Sequence, residues 1–346
     1  MSHPARHDHE DAYRPGLILA PGHGCLSSEG RWVLSRPGPI SCVRSDAPRG
    51  AAPLPMEMAA MVDAALDAAP LPPRWVVVGA DGDPLLTGGG WGEAMLAAAV
   101  HVVERGVGLW VATRGAPSQG AWATLLEHAA GAGGARLELG LFSLDPSLAS
   151  LYEPGAPSPA DRLAAARRLA GVGVTLSARV SPLLPWICDT PEVLEEVTAH
   201  LAKIGIDQVH TSYLHLDAGG QGRLGRLPPA HRALLRGLLR ESPHREGEAW
   251  LLPAGLRAEG YRRFHRAAAR HGVTVRVCRS ANPDLEGATR CFATEPEQRA
   301  SAAPSSLRPS RPAPRPASSP VVRERRALRP DEDAEDAAPG TQLKLL

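Results

Sequence analysis

The feature that most constrains this chain is an alternation of short apolar runs with longer amphipathic stretches through its middle. Strand-like runs fall at 17–20, 75–80, 108–113, 136–142, 173–180, 208–214 and 273–277. Helix-like stretches fall at 56–69, 91–105, 120–130, 158–169, 190–204, 228–240 and 256–271. Ser158-Pro159 with Asp161, and Thr190-Pro191-Glu192, are helix starts: the hydroxyl caps, proline pre-sets the first helical dihedral, and the acid suits the positive end of the dipole. A strand, helix, strand repeat of about 30 to 35 residues demands parallel pairing through right-handed crossovers. The class is therefore α/β, either an open or closed barrel or a doubly wound sheet. Runs such as WVVVGA and GLWVAT lack alternation, as strands covered on both faces do.

In either architecture, chemistry sits at the carboxyl ends of the strands. Those ends carry Gly22-His-Gly-Cys25, Asp81-Gly-Asp-Pro84, Thr113-Arg114, Ser143-Leu-Asp145, Arg179 onward to Cys188-Asp189, and His215-Leu-Asp217. Lys plus Arg number 38 against 37 Asp plus Glu, so the chain as a whole offers no bulk attraction to nucleic acid or to an anionic membrane. Five scattered cysteines in 346 residues are no disulfide framework and indicate a reducing cytosol. No apolar window is long enough to span a bilayer, and the first residues lack the apolar segment of a secretory signal, so the expected location is cytoplasmic.

The two ends differ in composition from the middle. Residues 1–14, with His3, His7 and His9, read as an unstructured terminus, and 15–295 as the folded body. Residues 296–340 interleave Pro, Ser and Ala with eight arginines and then an acidic run, the composition of a disordered linker. The segment 341–346 contains Gln342-Leu-Lys-Leu-Leu346, three leucines with no evident packing partner.

Two stretches carry a family resemblance. Phe142-Ser-Leu-Asp-Pro-Ser-Leu-Ala-Ser-Leu-Tyr-Glu-Pro-Gly-Ala-Pro-Ser-Pro-Ala-Asp-Arg-Leu163 and Gly171-Val-Gly-Val-Thr-Leu-Ser-Ala-Arg-Val-Ser-Pro-Leu-Leu-Pro185 resemble the radical S-adenosylmethionine proteins related to spore photoproduct lyase. Those proteins place a Leu-Asp, a Glu-Pro-x-x-Pro-Ser, an Arg-Leu and an Arg-Val-x-Pro-x-x-Pro at the same relative spacing. The segment from Gly272 to Leu285, with Cys291 beyond it, resembles the family's ending. The resemblance implies a radical S-adenosylmethionine-type partial barrel of six strand-helix units, resembling an incomplete TIM barrel, with a 4Fe-4S cluster and S-adenosyl-L-methionine as cofactors in an active member.

The family holds its cluster on three cysteines spaced C-x3-C-x2-C after the first strand. Aligned on Pro21-Gly-His-Gly-Cys-Leu-Ser-Ser28, only Cys25 matches, because proline has no donor atom and a serine hydroxyl is a poor substitute for a soft thiolate. Asp83-Pro84 keeps the first two residues of the family's Asp-Pro-Tyr-Gln-Pro-x-Glu, a lysine expected near the cosubstrate is Arg114, a serine of the fourth strand is Gly140, and Arg179 is kept. The resemblance thus assigns Cys25, Asp83, Arg114 and Arg179 to the cofactor region. Joint loss of ligands, polar loop and serine reads as relaxed demand on the site rather than as one compensated change, and no bound cofactor is expected. The alternative is a rewired metal site on Cys25, Cys42 and Cys188, with His23 beside them, in loops that the barrel places on one face. Cys278 and Cys291 lack a second pair and read as structural thiols.

Other candidates are more general. Asp81, Asp83 and Asp217 are strand-end acids that serve either as proton carriers or as turn caps, and Gly88-Gly-Gly90 before a helix is a candidate anion cradle without a nucleotide fingerprint. Gln342, Leu343, Leu345 and Leu346 resemble the Gln-Leu-x-Leu-Phe/Leu peptide by which bacterial repair and polymerase proteins bind the sliding clamp, and the linker arginines would add DNA phosphate contacts. The expected function is that of a degenerate relative acting as a DNA repair or replication accessory. An active radical enzyme with unorthodox cluster ligands and a structural protein-binding adaptor are the alternatives.

Overall fold

The computed structural model describes residues 54–288, with short breaks at 70–72, 80–81, 87–89, 133, 217–223, 225–226, 242–244, 247–248 and 280, together with the backbone of strands at 18–21, 31–35 and 308–309. Residues 1–14, the linker at 296–340 apart from 308–309, the leucine-rich peptide, His23, Cys25, Cys42, Cys291, Asp81, Asp217, Gly88 and Gly89 lie outside the described residues.

In chain order the elements are β1 (Ile18–Pro21), β2 (Arg31–Ser35), α1 (Pro55–Asp67), β3 (Trp75–Val78), α2 (Trp91–Glu104), β4 (Gly108–Thr113), α3 (Ala121–Gly131), β5 (Ala135–Leu141), α4 (Pro146–Tyr152), α5 (Pro159–Ala170), β6 (Thr175–Leu183) and α6 (Pro191–Lys203). They continue with β7 (Gln208–Tyr213), β8 (His215–Leu216), α7 (Pro229–Glu241), β9 (Arg245–Glu246), β10 (Ala249–Leu251), α8 (Ala254–Ala269), β11 (Thr274–Val277), β12 (Leu285–Glu286) and β13 (Arg308–Pro309). The helix starts read from Ser158 and Thr190 are real caps: Ser158 accepts from the Asp161 N–H at 3.1 Å and Thr190 from the Val193 N–H at 3.4 Å. Helix α4 is an addition to the expected set. Asp145 caps it by accepting from the Ser147 and Leu148 N–H groups, and at seven residues it is too short to carry a periodic signal.

The main sheet runs β1-β2-β3-β4-β5-β6-β7-β11, and every pair from β2 onward is parallel. Neighbours in space are neighbours in sequence, with no reversal of order, so the doubly wound alternative is removed. Right-handed crossovers then bring all the connecting helices to one face. The strands are nonetheless buried on both faces, because the sheet curls and covers its inner face with its own side chains. Two apolar clusters follow from this geometry. One large cluster lies between strands and helices and includes Val76, Val78, Leu109, Val111, Leu137, Leu139, Val209 and Val275. The other is small and internal, made of Trp75, Val77, Trp110, Cys278 and Ala281. Among the described residues no pairing joins β11 back to β1, which leaves a partial barrel.

The first strand departs from expectation. The segment read at 17–20 is a strand, but it pairs antiparallel with β2, which was not anticipated. Nine residues (22–30) separate the two, enough for a hairpin and too few for a parallel crossover.

Candidate functional site

Strand alternation sends every second side chain of β3 to β7 and β11 into the barrel, and cross-strand register stacks these residues in levels. One level holds Val77, Trp110 and Arg136. The next pairs Ala112 with Glu138 and Glu138 with Ser177. The level closest to the carboxyl ends runs Gly140, Arg179, His210 and Arg276. The lumen is therefore polar in its upper half. Glu138 is 1% exposed and accepts from Arg179 Nε and, at 2.8 Å, from His210 Nδ1. Burial alone would raise its pKa, but the charges of Arg179 and His210 and their hydrogen bonds outweigh burial and hold the carboxyl at about 2. Arg136 lies with its guanidinium carbon 4.7 Å from the Trp75 ring centre and 5.1 Å from that of Trp110, so its charge is met by two aromatic faces.

Above this network, at the barrel mouth, Asp83 ties two strand ends together. Its carboxylate accepts from the Leu85 N–H at 3.0 Å, the Thr113 hydroxyl at 2.6 Å and the Arg114 N–H at 2.5 Å. Arg114 donates from Nη2 to the Ser181 carbonyl at 2.8 Å and ion-pairs through Nε with Glu153. Glu153, in turn, is 2.6 Å from Arg162 Nη1, which also donates to the Gly140 carbonyl at 2.9 Å. The Glu-Pro and Arg-Leu signatures of the sequence thus form one buried bracket, Arg114–Glu153–Arg162, across the mouth. Gly140 is what admits it: a Cβ there would stand 2.7 Å from Arg114 Cγ and 3.2 Å from the Thr113 carbonyl oxygen. Arg114 and Gly140 are sterically matched: the side chain of one fills the space that the other leaves open.

Beside the bracket, residues 184–189 follow β6 in a tight turn. Cys188 is buried; the Leu184 N–H donates to its sulfur at 3.2 Å, and burial pushes the thiol up to about 12. It is a protonated, packed thiol, the opposite of a poised thiolate. Its neighbour Asp189 is also buried and accepts from the Trp186 N–H at 2.6 Å, the Tyr213 hydroxyl at 2.5 Å and Arg263 Nη2 at 2.7 Å. Trp186 itself has φ +60° and is 61% exposed.

Asp83, Arg114 and Arg179, expected in the cofactor region, gather at the carboxyl ends of the strands, where each is held by protein partners. Cys25 and Cys42 fall outside the described residues. Cys188 follows the carboxyl end of β6, and the expected grouping of Cys25, Cys42 and Cys188 on one face falls outside the described residues. Among the described residues no group of three His, Cys, Asp or Glu side chains is arranged to hold a metal. Cys188, buried and protonated, offers no thiolate to a 4Fe-4S cluster. A Cβ at Gly140 would meet the Arg114 shaft.

Glu138, His210 and Trp186 were not singled out by sequence reasoning. A signal for the first two exists: Arg136 and Glu138, Ser177, Arg179 and Ser181, and His210 and Ser212 recur at every second position inside otherwise apolar strands.

No family model matches the chain. It is 37% identical over 82 residues to the uncharacterized protein ORF301 of Acidianus two-tailed virus, a match covering 23% of this chain and 27% of that protein. It is 31% identical over 104 residues to the uncharacterized protein Rv2578c of Mycobacterium tuberculosis, covering 29% and 31%. The matches thus span between a quarter and a third of the length of these curated relatives. Among solved structures the chain is similar to spore photoproduct lyase complexed with dinucleoside spore photoproduct (16% identity, TM-score 0.45, 65% of this chain and 67% of that one). It is also similar to a domain of pyruvate-formate lyase-activating enzyme from Bacteroides vulgatus (13%, TM-score 0.38, 59% and 98%). A third is SuiB of Streptococcus suis bound to the precursor peptide SuiA (14%, TM-score 0.38, 51% and 36%).

Proposed function

We propose that this chain is a radical S-adenosylmethionine-type barrel that has given up the standard cluster and sulfonium chemistry and serves DNA repair or replication as an accessory, held to the bacterial sliding clamp through Gln342, Leu343, Leu345 and Leu346. One observation carries the first half of this reading: Arg114 crosses the mouth over Gly140 and is locked there by Glu153 and the Ser181 carbonyl. A mouth whose charged residues are satisfied by one another is built for integrity, and a cosubstrate would have to break a buried ion pair to enter. The second half rests on the sequence, where a glutamine amide and three leucines match the chemistry of the clamp's polar rim and apolar groove.

Anaerobic reconstitution with iron and sulfide tests the first half. A colourless protein is expected; about four irons per chain with a brown chromophore would establish the active-enzyme alternative instead. Titration of a sliding clamp with the full chain and with Gln342→Ala tests the second. Binding that the substitution weakens at least tenfold is expected, and equal binding by both proteins refutes the tether.

A further inference from the structure

A tryptophan in the left-handed region pays for backbone strain that a glycine would avoid, and such strain persists only where the surroundings fix it. At Trp186 the fixing group is Asp189, buried beneath the turn, which accepts from the Trp186 N–H at 2.6 Å while Tyr213 and Arg263 hold its other oxygen at 2.5 and 2.7 Å. The outcome is an indole that is 61% exposed at the carboxyl end of β6. Folding alone gives no reason to hold the largest apolar side chain out in water on a strained backbone.

The Arg263 contact also joins this turn to helix α8, where Arg262, Arg266 and Arg270 follow at intervals of four residues and so share one face, about 6 Å apart along the axis. Two partly exposed acids meet them among the described residues: Glu259 takes Arg262 at 2.5 Å and Arg266 at 3.4 Å, and Glu195 takes Arg270 at 2.7 Å. Pairs that water reaches contribute little, so a phosphate can compete for these arginines. An exposed aromatic face on a turn tied through Arg263 to a helix that carries a row of arginines offers the two contacts that single-stranded nucleic acid uses, base stacking and phosphate pairing. We infer that Trp186 stacks on an unpaired base of a DNA strand whose phosphates run along Arg262, Arg266 and Arg270. The inference deepens the proposed DNA context and rests on it for the choice of DNA, but not on the clamp peptide.

The test is fluorescence anisotropy of a labelled oligothymidylate with the full chain, over a range of salt and with no clamp present, so that its failure leaves the clamp titration untouched. Trp186→Gly is the informative variant, since glycine adopts positive φ freely and should keep or raise the melting temperature. Its affinity should fall about five- to a hundredfold, while Trp186→Phe, which retains a stacking ring, should stay within about threefold of the original. Arg262→Gln with Arg266→Gln should reduce the slope of log affinity against log salt by about 1.4, two phosphate contacts' worth for a single strand. Absence of oligonucleotide binding at low salt, or binding by Trp186→Gly equal to that of the unaltered chain, overturns the inference.

Discussion

Replacing Gly140 with alanine probes the mouth directly, because it adds one carbon where Arg114 passes. The new Cβ would lie 2.7 Å from Arg114 Cγ and 3.2 Å from the Thr113 carbonyl oxygen. The second contact relaxes with a shift of a few tenths of an ångström. The first cannot, since Arg114 is anchored beyond its Cγ by Glu153 and by the Ser181 carbonyl at 2.8 Å. Overpacking of this kind costs about 1–3 kcal/mol. Loosening the charged hydrogen bonds at the far end of the side chain adds about 1 kcal/mol more. In an Arg114→Ala background the Cγ is gone, and Gly140→Ala should be nearly neutral, since the strained contact is replaced by the gain of about 0.4–1 kcal/mol from a stiffer unfolded chain. The expected coupling between the two positions is therefore about 2–4 kcal/mol. Denaturant unfolding of the four proteins of this cycle reads it, with unchanged m-values certifying that the unfolding transition is the same. By thermal melting the same coupling corresponds to about 4–16 °C in a domain of this size. If Gly140→Ala costs the same in both backgrounds to within about 0.5 kcal/mol, Arg114 does not fill the mouth and the steric match is wrong.

Two further perturbations examine the lumen and the turn. Glu138, with its pKa depressed from 4.5 to about 2, contributes stability that is fully present above about pH 4.5 and is lost as pH falls toward 2; Glu138→Gln should flatten that acid limb in equilibrium unfolding and cost about 3–5 kcal/mol at neutral pH by leaving Arg179 and His210 without their carboxylate. An acid limb that survives the substitution unchanged would assign it to other groups. Cys188, its thiol raised by burial to about 12, should resist iodoacetamide in the native protein at pH 8 and react at the rate of an ordinary thiol once unfolded; equal labelling in both states, read by mass spectrometry of the peptide, would contradict the buried, protonated assignment.

The barrel was largely legible because its signal is local. A run such as Trp75–Val78 and a capped helix such as Pro159–Ala170 each announce themselves within a dozen residues, and their regular spacing leaves few ways to connect them. The hairpin at the start was not legible in the same way. Arg31–Ser35 is only five residues, and its pairing depends on the shortness of the connection rather than on any pattern within the strand. At the site, the resemblance marked individual positions but not the contact between them. Position by position, arginine at 114 and glycine at 140 count as two departures from a family pattern, and two departures suggest decay. Arg114 and Gly140 extend adjacent strands, though, and the space one side chain vacates is the space the other occupies. The Arg114–Glu153–Arg162 bracket therefore depends on both positions at once. Trp186 follows the same reasoning from the opposite side. Nothing in Leu184-Pro-Trp186 foretells a positive φ, because the strain is imposed by Asp189 from beneath and becomes visible only when the buried carboxylate, Tyr213 and Arg263 are seen to converge on it. The exposed indole at the carboxyl end of β6 is therefore a feature that the fold reveals and the sequence does not.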